Sequence, residues 1–143
     1  EQVKREERNG KALSGILADI PPALPALPRA QKLQKRAATV GFDWKELSSV
    51  VENLESEIQE LRQAINNDDA ANIEEEVGDI LFSAVNVSRH LKLDAEASLR
   101  RANRKFEKRF NAMESAAIAE GRLLEQDSVA ELERRWAIAK AKD

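Results

Sequence analysis

The sequence predicts an all-α protein, a bundle of about five helices. Its 143 residues are dominated by Ala, Leu, Glu, Lys, Arg and Gln, which are good helix formers, and only four Pro and five Gly occur. Hydrophobic residues make up 42% of the chain, which is enough for the core of one ordinary domain. Apolar residues also recur at helical spacing in several segments.

The charge and the composition argue against several classes of partner. The formal net charge is −3, so no overall positive field favours nucleic acid. No apolar run approaches the ~20 residues that a membrane-spanning helix needs, and we expect no signal peptide. Cysteine is absent, which argues against a disulfide framework and allows a reducing compartment. We therefore expect a cytoplasmic protein with no nucleic-acid and no membrane partner.

The first third of the chain is predicted to hold a lead-in, a connector and one helix. Residues 1–18 are charged, and their opening resembles the middle of a helix, so we interpret the chain as a fragment. Residues 20–28 carry all four prolines and are expected to be extended, because proline lacks an N–H and restricts the residue before it. A helix over residues 28–40 follows, and Gly41 is its expected C-cap.

Two amphipathic helices are predicted over residues 44–66 and 69–91, with Asp43 as the N-cap of the first. Their apolar stripes are expected to be buried and consist of Val51, Leu54, Ile58, Leu61 and Ile65, and of Ile73, Val77, Ile80, Ala84, Val87 and Leu91. Their polar faces consist of Asn53, Ser56, Glu57 and Glu60, and of Glu76, Asp79, Ser83, Asn86 and His90.

Two further helices complete the bundle. One is predicted from the N-cap Asp94 to residue 120, before Gly121, with an apolar face of Leu99, Ala102, Phe106, Phe110, Met113 and Ala117. Lys105 and Arg109 flank that face, either as snorkelling side chains or as groups that reach toward neighbouring helices. The last helix covers residues 128–142, with Asp127 or Ser128 as N-cap and Val129, Leu132, Trp136 and Lys140 along one side.

Two acid-x-x-acid pairs lie on the two central helices. Glu57 and Glu60 form one pair, and Glu76 and Asp79 form the other. Residues three apart share a helix face with Cβ atoms ~5–6 Å apart, so antiparallel packing can gather four carboxylates. Such a cluster suits Mg²⁺ or Mn²⁺, which prefer oxygen ligands. Taken alone, the spacing is more typical of a solvent-facing surface, because Glu-rich helices produce it by chance. Gly78, between the second pair, indicates either a packing contact or close approach of another helix or a ligand.

Four segments of the chain resemble the C-terminal half of MazG-type nucleoside triphosphate pyrophosphohydrolases. They are LPALPRAQKLQKRAA at residues 24–38, VGFDW at 40–44, EEEVGDILF at 74–82 and ANRKFEKRF at 102–110. The opening EQVK also resembles the end of a preceding repeat in the tandem members, which closes with Trp-x-x-x-Lys, as Trp136 to Lys140 do here. We accordingly expect residues 1–27 to be a linker from an upstream repeat plus connector, and residues 28–143 to be the MazG-like domain.

The resemblance implies a fold, a reaction and a set of site residues. It implies an all-α NTP pyrophosphohydrolase fold that works as a tight homodimer and hydrolyses nucleoside triphosphates to nucleoside monophosphate and pyrophosphate. Glu57, Glu60, Glu76 and Asp79 occupy its metal-ligand positions for Mg²⁺, with Mn²⁺ as a substitute. Substrate contacts are implied for Lys105, Arg109, Trp136, Lys140 and Lys4, and we add Asn86 because it shares a helical face with Asp79.

The chain departs from the family pattern at two positions. Ser56 replaces a Glu that could orient the attacking water, and Asn53 replaces a residue that is often Lys. All four ligand positions remain filled, so metal binding is expected to survive. The alternative function is a degenerate nucleotide-binding and dimerisation module with weak or no activity, and a third reading is a purely structural bundle. The sequence does not identify the preferred base.

Overall fold

The computed structural model describes residues 15–143, and this part of the chain is all-α, as predicted. It contains no strand and five α-helices with one short 3₁₀ helix. None of these helices is both long enough and apolar enough to cross a membrane. Most of the predicted lead-in, including Lys4, lies outside the described residues. The helices are α1 (Ala26–Ala38), α2 (Leu47–Asn66), α3 (Ala70–His90), α4 (Ala95–Ala119) and α5 (Val129–Ala141), with the 3₁₀ helix at Leu124–Gln126.

The chain divides into two compact units, Glu1–Glu96 and Ala97–Asp143. The first unit holds α1, α2, α3 and the first two residues of α4, and the second holds the rest of α4 and α5. The four candidate metal ligands all belong to the first unit. Lys105, Arg109, Trp136 and Lys140 all belong to the second.

The Pro-rich connector is turned rather than extended. A backbone hydrogen bond from Leu24 N to Pro21 O closes a turn at 3.3 Å, and Arg29 Nε donates to the same carbonyl at 3.2 Å. Ile20 is only 3% exposed. Helix α1 begins at Ala26, two residues earlier than predicted. Pro28 is tolerated because it lies in the first turn, where backbone N–H groups have no intrahelical partner.

Two end signals around α2 were misplaced by the sequence analysis. Helix α1 ends at Ala38 rather than residue 40, and Gly41 follows in a left-handed conformation with φ of 89°. Asp43 is not an N-cap, because α2 begins at Leu47 after Glu46. Its carboxylate instead accepts from Arg89 at 2.6 and 3.1 Å and bonds His90 at 2.8 Å. The bond from Arg89 lowers the pKa of Asp43 to about 2.

The most extensive helix contact in the described chain joins α2 to α3. The short turn between them reverses the chain direction, so the two helices pack antiparallel. Asp68 adopts φ of 53° in this turn. Asp69 then caps α3, with its side chain accepting from Asn72 N at 3.2 Å. The predicted antiparallel hairpin is therefore present.

The face through which α2 and α3 pack differs from the predicted one. The buried residues are Val50 and Ala64 on α2, and Glu76, Ser83 and Val85 on α3. The predicted apolar stripes are half-buried at best, and several members are exposed: Ile58 38%, Ile65 54%, Val77 43% and Leu91 47%. The hydrophobic periodicity predicts only apolar residues between the two helices. The interface also contains buried polar residues, Glu76 and Ser83.

Ion pairs of Arg135 with Glu120 and Asp127 hold the second unit together, as well as apolar contacts. Met113 and Ala117 of the predicted α4 face are buried, but Leu99, Phe106 and Phe110 are exposed. In α5 the buried residues are Arg135 and Ala139, Leu132 and Trp136 are half-buried, and Val129 is 73% exposed, so only part of the predicted side faces inward. Ser128 is the N-cap and forms a reciprocal capping box with Glu131.

Candidate metal centre

Four carboxylates converge between α2 and α3. Helix α2 supplies Glu57 and Glu60, and α3 supplies Glu76 and Asp79. One oxygen atom each from Glu57, Glu76 and Asp79 lies within 4.8 Å of the others. Glu60 is exposed and is not part of this close set, but its negative charge acts on Glu57 and Glu76. The helical spacing that defined the two pairs thus places them opposite each other.

Two of these carboxylates are poorly satisfied. Glu76 is only 8% exposed, and Glu57 is half-buried. One oxygen atom of each, Oε2, is buried and has no hydrogen-bond partner. Buried polar atoms in proteins almost always have a partner, because an unpaired acceptor retains the full cost of lost hydration. The two oxygens therefore indicate a position where a partner atom is missing from the protein itself.

The electrostatics of the cluster disfavour four negative charges. Burial, followed by the hydrogen bond and the charge of Glu60, raises the pKa of Glu57 to about 7. Burial also raises the pKa of Glu76, together with the charges of Glu60 and Asp79. A divalent cation reverses both effects, since it compensates the charge and ligates the unpaired oxygens. The donor set contains only oxygen, and it fits Mg²⁺ or Mn²⁺ better than a softer metal.

The surroundings of the cluster contain contacts that the sequence analysis missed. Asn53 Nδ2 donates to Ser83 Oγ across the helix pair at 3.1 Å. Gln34, which is 7% exposed, donates to Phe82 O at 2.9 Å and so ties α1 to α3. The only signal for these bonds was the presence of polar residues on helix faces. Asn86, a predicted substrate contact, is half-buried, and its Oδ1 accepts from Arg89 Nε at 3.0 Å.

Gly78 lies beside the cluster on α3 with no side chain packed against it. A Cβ built at this position meets nothing within 4 Å, so no described residue needs the glycine for packing. The packing interpretation of Gly78 is therefore wrong for the described chain. Close approach of a ligand or another molecule remains a prediction.

Within the second unit, two of the predicted substrate contacts lie together. The Arg109 guanidinium lies 5.5 Å from the ring centroid of Trp136 and pairs with the Asp143 carboxylate. The Phe106 ring lies 5.6 Å from the same indole. Lys105 and Lys140, two further predicted substrate contacts, are exposed. The Arg109 guanidinium thus forms a cation–π contact with Trp136.

Comparison with known proteins assigns the family. Residues 45–113 match the MazG nucleotide pyrophosphohydrolase domain, a segment that includes α2, α3 and all four acidic residues. The whole chain is 46% identical over 147 residues to a nucleoside triphosphate pyrophosphohydrolase of Escherichia coli K12. It is 43% identical over 143 residues to a Thermotoga maritima protein named nucleoside triphosphate pyrophosphohydrolase/pyrophosphatase MazG. The chain belongs to the MazG family.

The MazG relatives are longer than this chain. The chain spans 55% of the Escherichia coli protein and 54% of the Thermotoga maritima protein, and all of this chain is covered in both. A Bacillus subtilis protein, YabN, is 39% identical over 141 residues, which is 29% of its length. The MazG segment contains Lys105 and Arg109, whereas Trp136 and Lys140 lie beyond it.

Proposed function

We propose that this MazG chain hydrolyses nucleoside triphosphates to nucleoside monophosphate and pyrophosphate at the acidic cluster, with Mg²⁺ as its cofactor and Mn²⁺ as a substitute. The observation that carries the proposal is the pair of buried, unpartnered carboxylate oxygens on Glu57 and Glu76. The names of the Escherichia coli and Thermotoga maritima relatives support the reaction.

The protein residues have separate tasks in this proposal. Glu57, Glu60, Glu76 and Asp79 would hold the cation between α2 and α3, with Glu57 and Glu76 deprotonated. When bound, the cation supplies charge neutralisation for the phosphates and a more acidic water. The half-buried position of the cluster limits competing solvent, which strengthens the interaction of the carboxylates with a cation.

A module that binds nucleotide without turnover is the second candidate. It follows from Ser56 and Asn53, which leave the chain one carboxylate and one cation short of the family pattern. The four filled ligand positions and the names of the relatives favour the enzyme. If the module interpretation is right, Ser56→Glu raises turnover from near zero, whereas a competent enzyme already turns over with Ser56.

We also propose a set of substrate contacts, a homodimer and a cytoplasmic location. Lys105, Arg109, Trp136, Lys140 and Asn86 serve as substrate contacts, and Lys4, outside the described residues, joins them through the resemblance. A homodimer is supported by the exposed apolar residues of α2 and α3, including Ile58, Val77 and Leu81 at 38%, 43% and 59% exposure. A cytoplasmic location remains a prediction.

Pyrophosphate release tests the proposed function. The chain is incubated with each common nucleoside triphosphate in Mg²⁺ or in EDTA, alongside the variants Glu57→Gln and Glu60→Ala. Glu55→Gln is the matched control, since Glu55 is an exposed acid on the same helix, 200° around from Glu57 at ~100° per residue. We expect Mg²⁺-dependent release that both site variants abolish and the control retains. Equal turnover in Glu57→Gln and wild type would refute the site.

A further inference from the structure

A hydrogen bond between Asn53 and Ser83 joins α2 to α3 beside the acidic cluster. Asn53 Nδ2 donates to Ser83 Oγ at 3.1 Å. Ser83 is only 6% exposed, and Asn53 is half-buried. The bond is therefore shielded from competing water, and losing either partner leaves a polar group without its partner inside the helix interface.

The position of this bond relates it to the carboxylates. Asn53 lies one helical turn before Glu57 on α2, and Ser83 lies one turn after Asp79 on α3. Because the helices are antiparallel, both displacements run in the same direction along the pair. One turn rises ~5.4 Å, so the bond forms the layer next to the cluster.

We propose that Asn53 and Ser83 are positioning residues that set the separation of the carboxylates on α2 from those on α3. The inference rests on the proposed metal site. One carboxylate oxygen each from Glu57, Glu76 and Asp79 lies within 4.8 Å of the others, so like charges on the two helices repel one another when no cation lies between them. A neutral bond one turn away opposes this repulsion and adds no charge to the cluster.

The expected consequence is a preorganised cation site. If the bond holds the carboxylates near their ligating positions, the cation does not have to draw the helices together when it binds. Groups that orient metal ligands without touching the metal typically change metal affinity by about 10–100-fold. Removing the bond should consequently weaken cation binding even though Glu57, Glu60, Glu76 and Asp79 are untouched.

Mn²⁺ binding without nucleotide tests this inference. Mn²⁺ is titrated into the wild-type chain and the variants Ser83→Ala, Asn53→Ala and the double variant, and free Mn²⁺ is followed by electron paramagnetic resonance. We expect Ser83→Ala and Asn53→Ala each to raise the Kd for Mn²⁺ about tenfold. The Kd of the double variant should be no higher than that of either single variant. Ser83→Thr keeps the hydroxyl and should restore binding. Ser88→Ala is the matched control, because Ser88 Oγ bonds Ala84 O within its own helix at 3.2 Å.

The outcomes separate this inference from the metal proposal. Circular dichroism at the titration temperature verifies folding, and Asn53→Ala, at the more exposed partner, decides the matter if Ser83→Ala does not fold. Wild-type affinity in Asn53→Ala, or effects that add in the double variant, would overturn the positioning role and leave the metal site standing. Absence of Mn²⁺ binding in the wild-type chain would overturn both.

Discussion

Glu57 and Glu76 meet between α2 and α3, and each keeps one buried carboxylate oxygen without a hydrogen-bond partner. They belong to a set of three side chains whose ligand oxygens lie within 4.8 Å of one another. This arrangement costs stability in the metal-free protein, because burial and neighbouring acids oppose ionisation of both groups. The same arrangement is what a hard cation requires.

The raised pKa of Glu57 predicts how metal-free stability depends on pH. This pKa rises from 4.5 to about 7 on folding, so the folded chain binds more protons than the unfolded chain between those values. Protonation of Glu57 therefore contributes to the free energy of unfolding. This contribution is complete below pH 4.5 and is lost as the pH rises through about 7. We expect the melting temperature in EDTA to fall by several degrees across this window, and Glu57→Gln to flatten that fall.

The measurement is a series of thermal melts of wild type and Glu57→Gln at matched pH in EDTA. The lowered pKa of Asp43, about 2, places its titration below the window, so it does not obscure the result. Saturating Mg²⁺ at neutral pH should restore the wild-type melting temperature. If the melting temperatures of the two proteins change with pH in parallel, Glu57 is not the group responsible for the fall.

Gly78 predicts a stabilising substitution. Glycine inside a helix costs ~1 kcal/mol relative to alanine, and a Cβ at Gly78 meets nothing within 4 Å. Gly78→Ala should raise the melting temperature in EDTA by roughly 2–4 °C in a chain of this size. Ala84→Gly, at an exposed position in the interior of the same helix, is the reciprocal control and should lower it by a similar amount. A lower melting temperature for Gly78→Ala would instead show that another molecule approaches this surface closely.

Arg135 predicts a sharp loss of stability in the second unit. Its guanidinium donates to Asp127 at 2.5 Å and to Glu120 at 2.6 Å, and the Asp127 side chain is completely buried. The hydrogen bond from Arg135 also lowers the pKa of Asp127. Arg135→Met leaves that buried carboxylate with Arg122 as its remaining partner, so the melting temperature should drop by about 5 °C or more.

Arg134→Met is the matched control, since the neighbouring Arg134 is exposed. Thermal melts of the two variants should differ clearly, with the control close to wild type. The stabilisation from Asp127 is expected to disappear in wild type as the pH falls through its lowered pKa. Equal melting temperatures for Arg134→Met and Arg135→Met would show that the network contributes nothing to folding.

The contact between Arg109 and Trp136 predicts an optical signal for nucleotide binding. Trp44→Phe leaves Trp136 as the sole tryptophan, and its indole lies 5.5 Å from the Arg109 guanidinium. A triphosphate that recruits Arg109 must compete with Asp143, so the environment of Trp136 should change. We expect a saturable fluorescence change with a non-hydrolysable α,β-methylene triphosphate in Mg²⁺.

Arg109→Ala in the Trp44→Phe background should weaken this titration about tenfold or more, because a charged hydrogen bond to phosphate is lost. Arg101→Ala, at an exposed basic residue on the same helix, serves as the control and should titrate like its parent. An identical titration in Arg109→Ala would remove Arg109 from the substrate contacts.

The helices themselves were largely predictable from the sequence, because their end signals are local. Asp69 and Ser128 cap α3 and α5, and Gly121 ends the turn after α4 with φ of 71°. The acid pairs were also predictable, since residues three apart share a helix face. The resemblance to MazG proteins then distinguished a candidate metal site from an ordinary polar surface.

The inward face of each helix was harder to predict. Hydrophobic periodicity assumes that apolar residues are buried, whereas α3 buries Glu76 and Ser83 and exposes Val77. Asp43 was wrongly predicted as an N-cap, and the ion pairs of Arg135 were not predicted at all, for a related reason. Asp43 pairs with Arg89, and Arg135 pairs with Glu120 and Asp127. These partners lie on other helices or loops, and the local sequence does not specify such ion pairs.

Product identity is the most direct test of the central claim. Phosphorus NMR of ATP incubated with the chain and Mg²⁺ distinguishes attack at the α-phosphorus from attack at the γ-phosphorus. We predict AMP and pyrophosphate in equal amounts, no conversion in EDTA, and loss of conversion in Glu57→Gln but not in Glu55→Gln. Formation of ADP and phosphate, or conversion that is independent of Mg²⁺ and of Glu57, would contradict the proposed function.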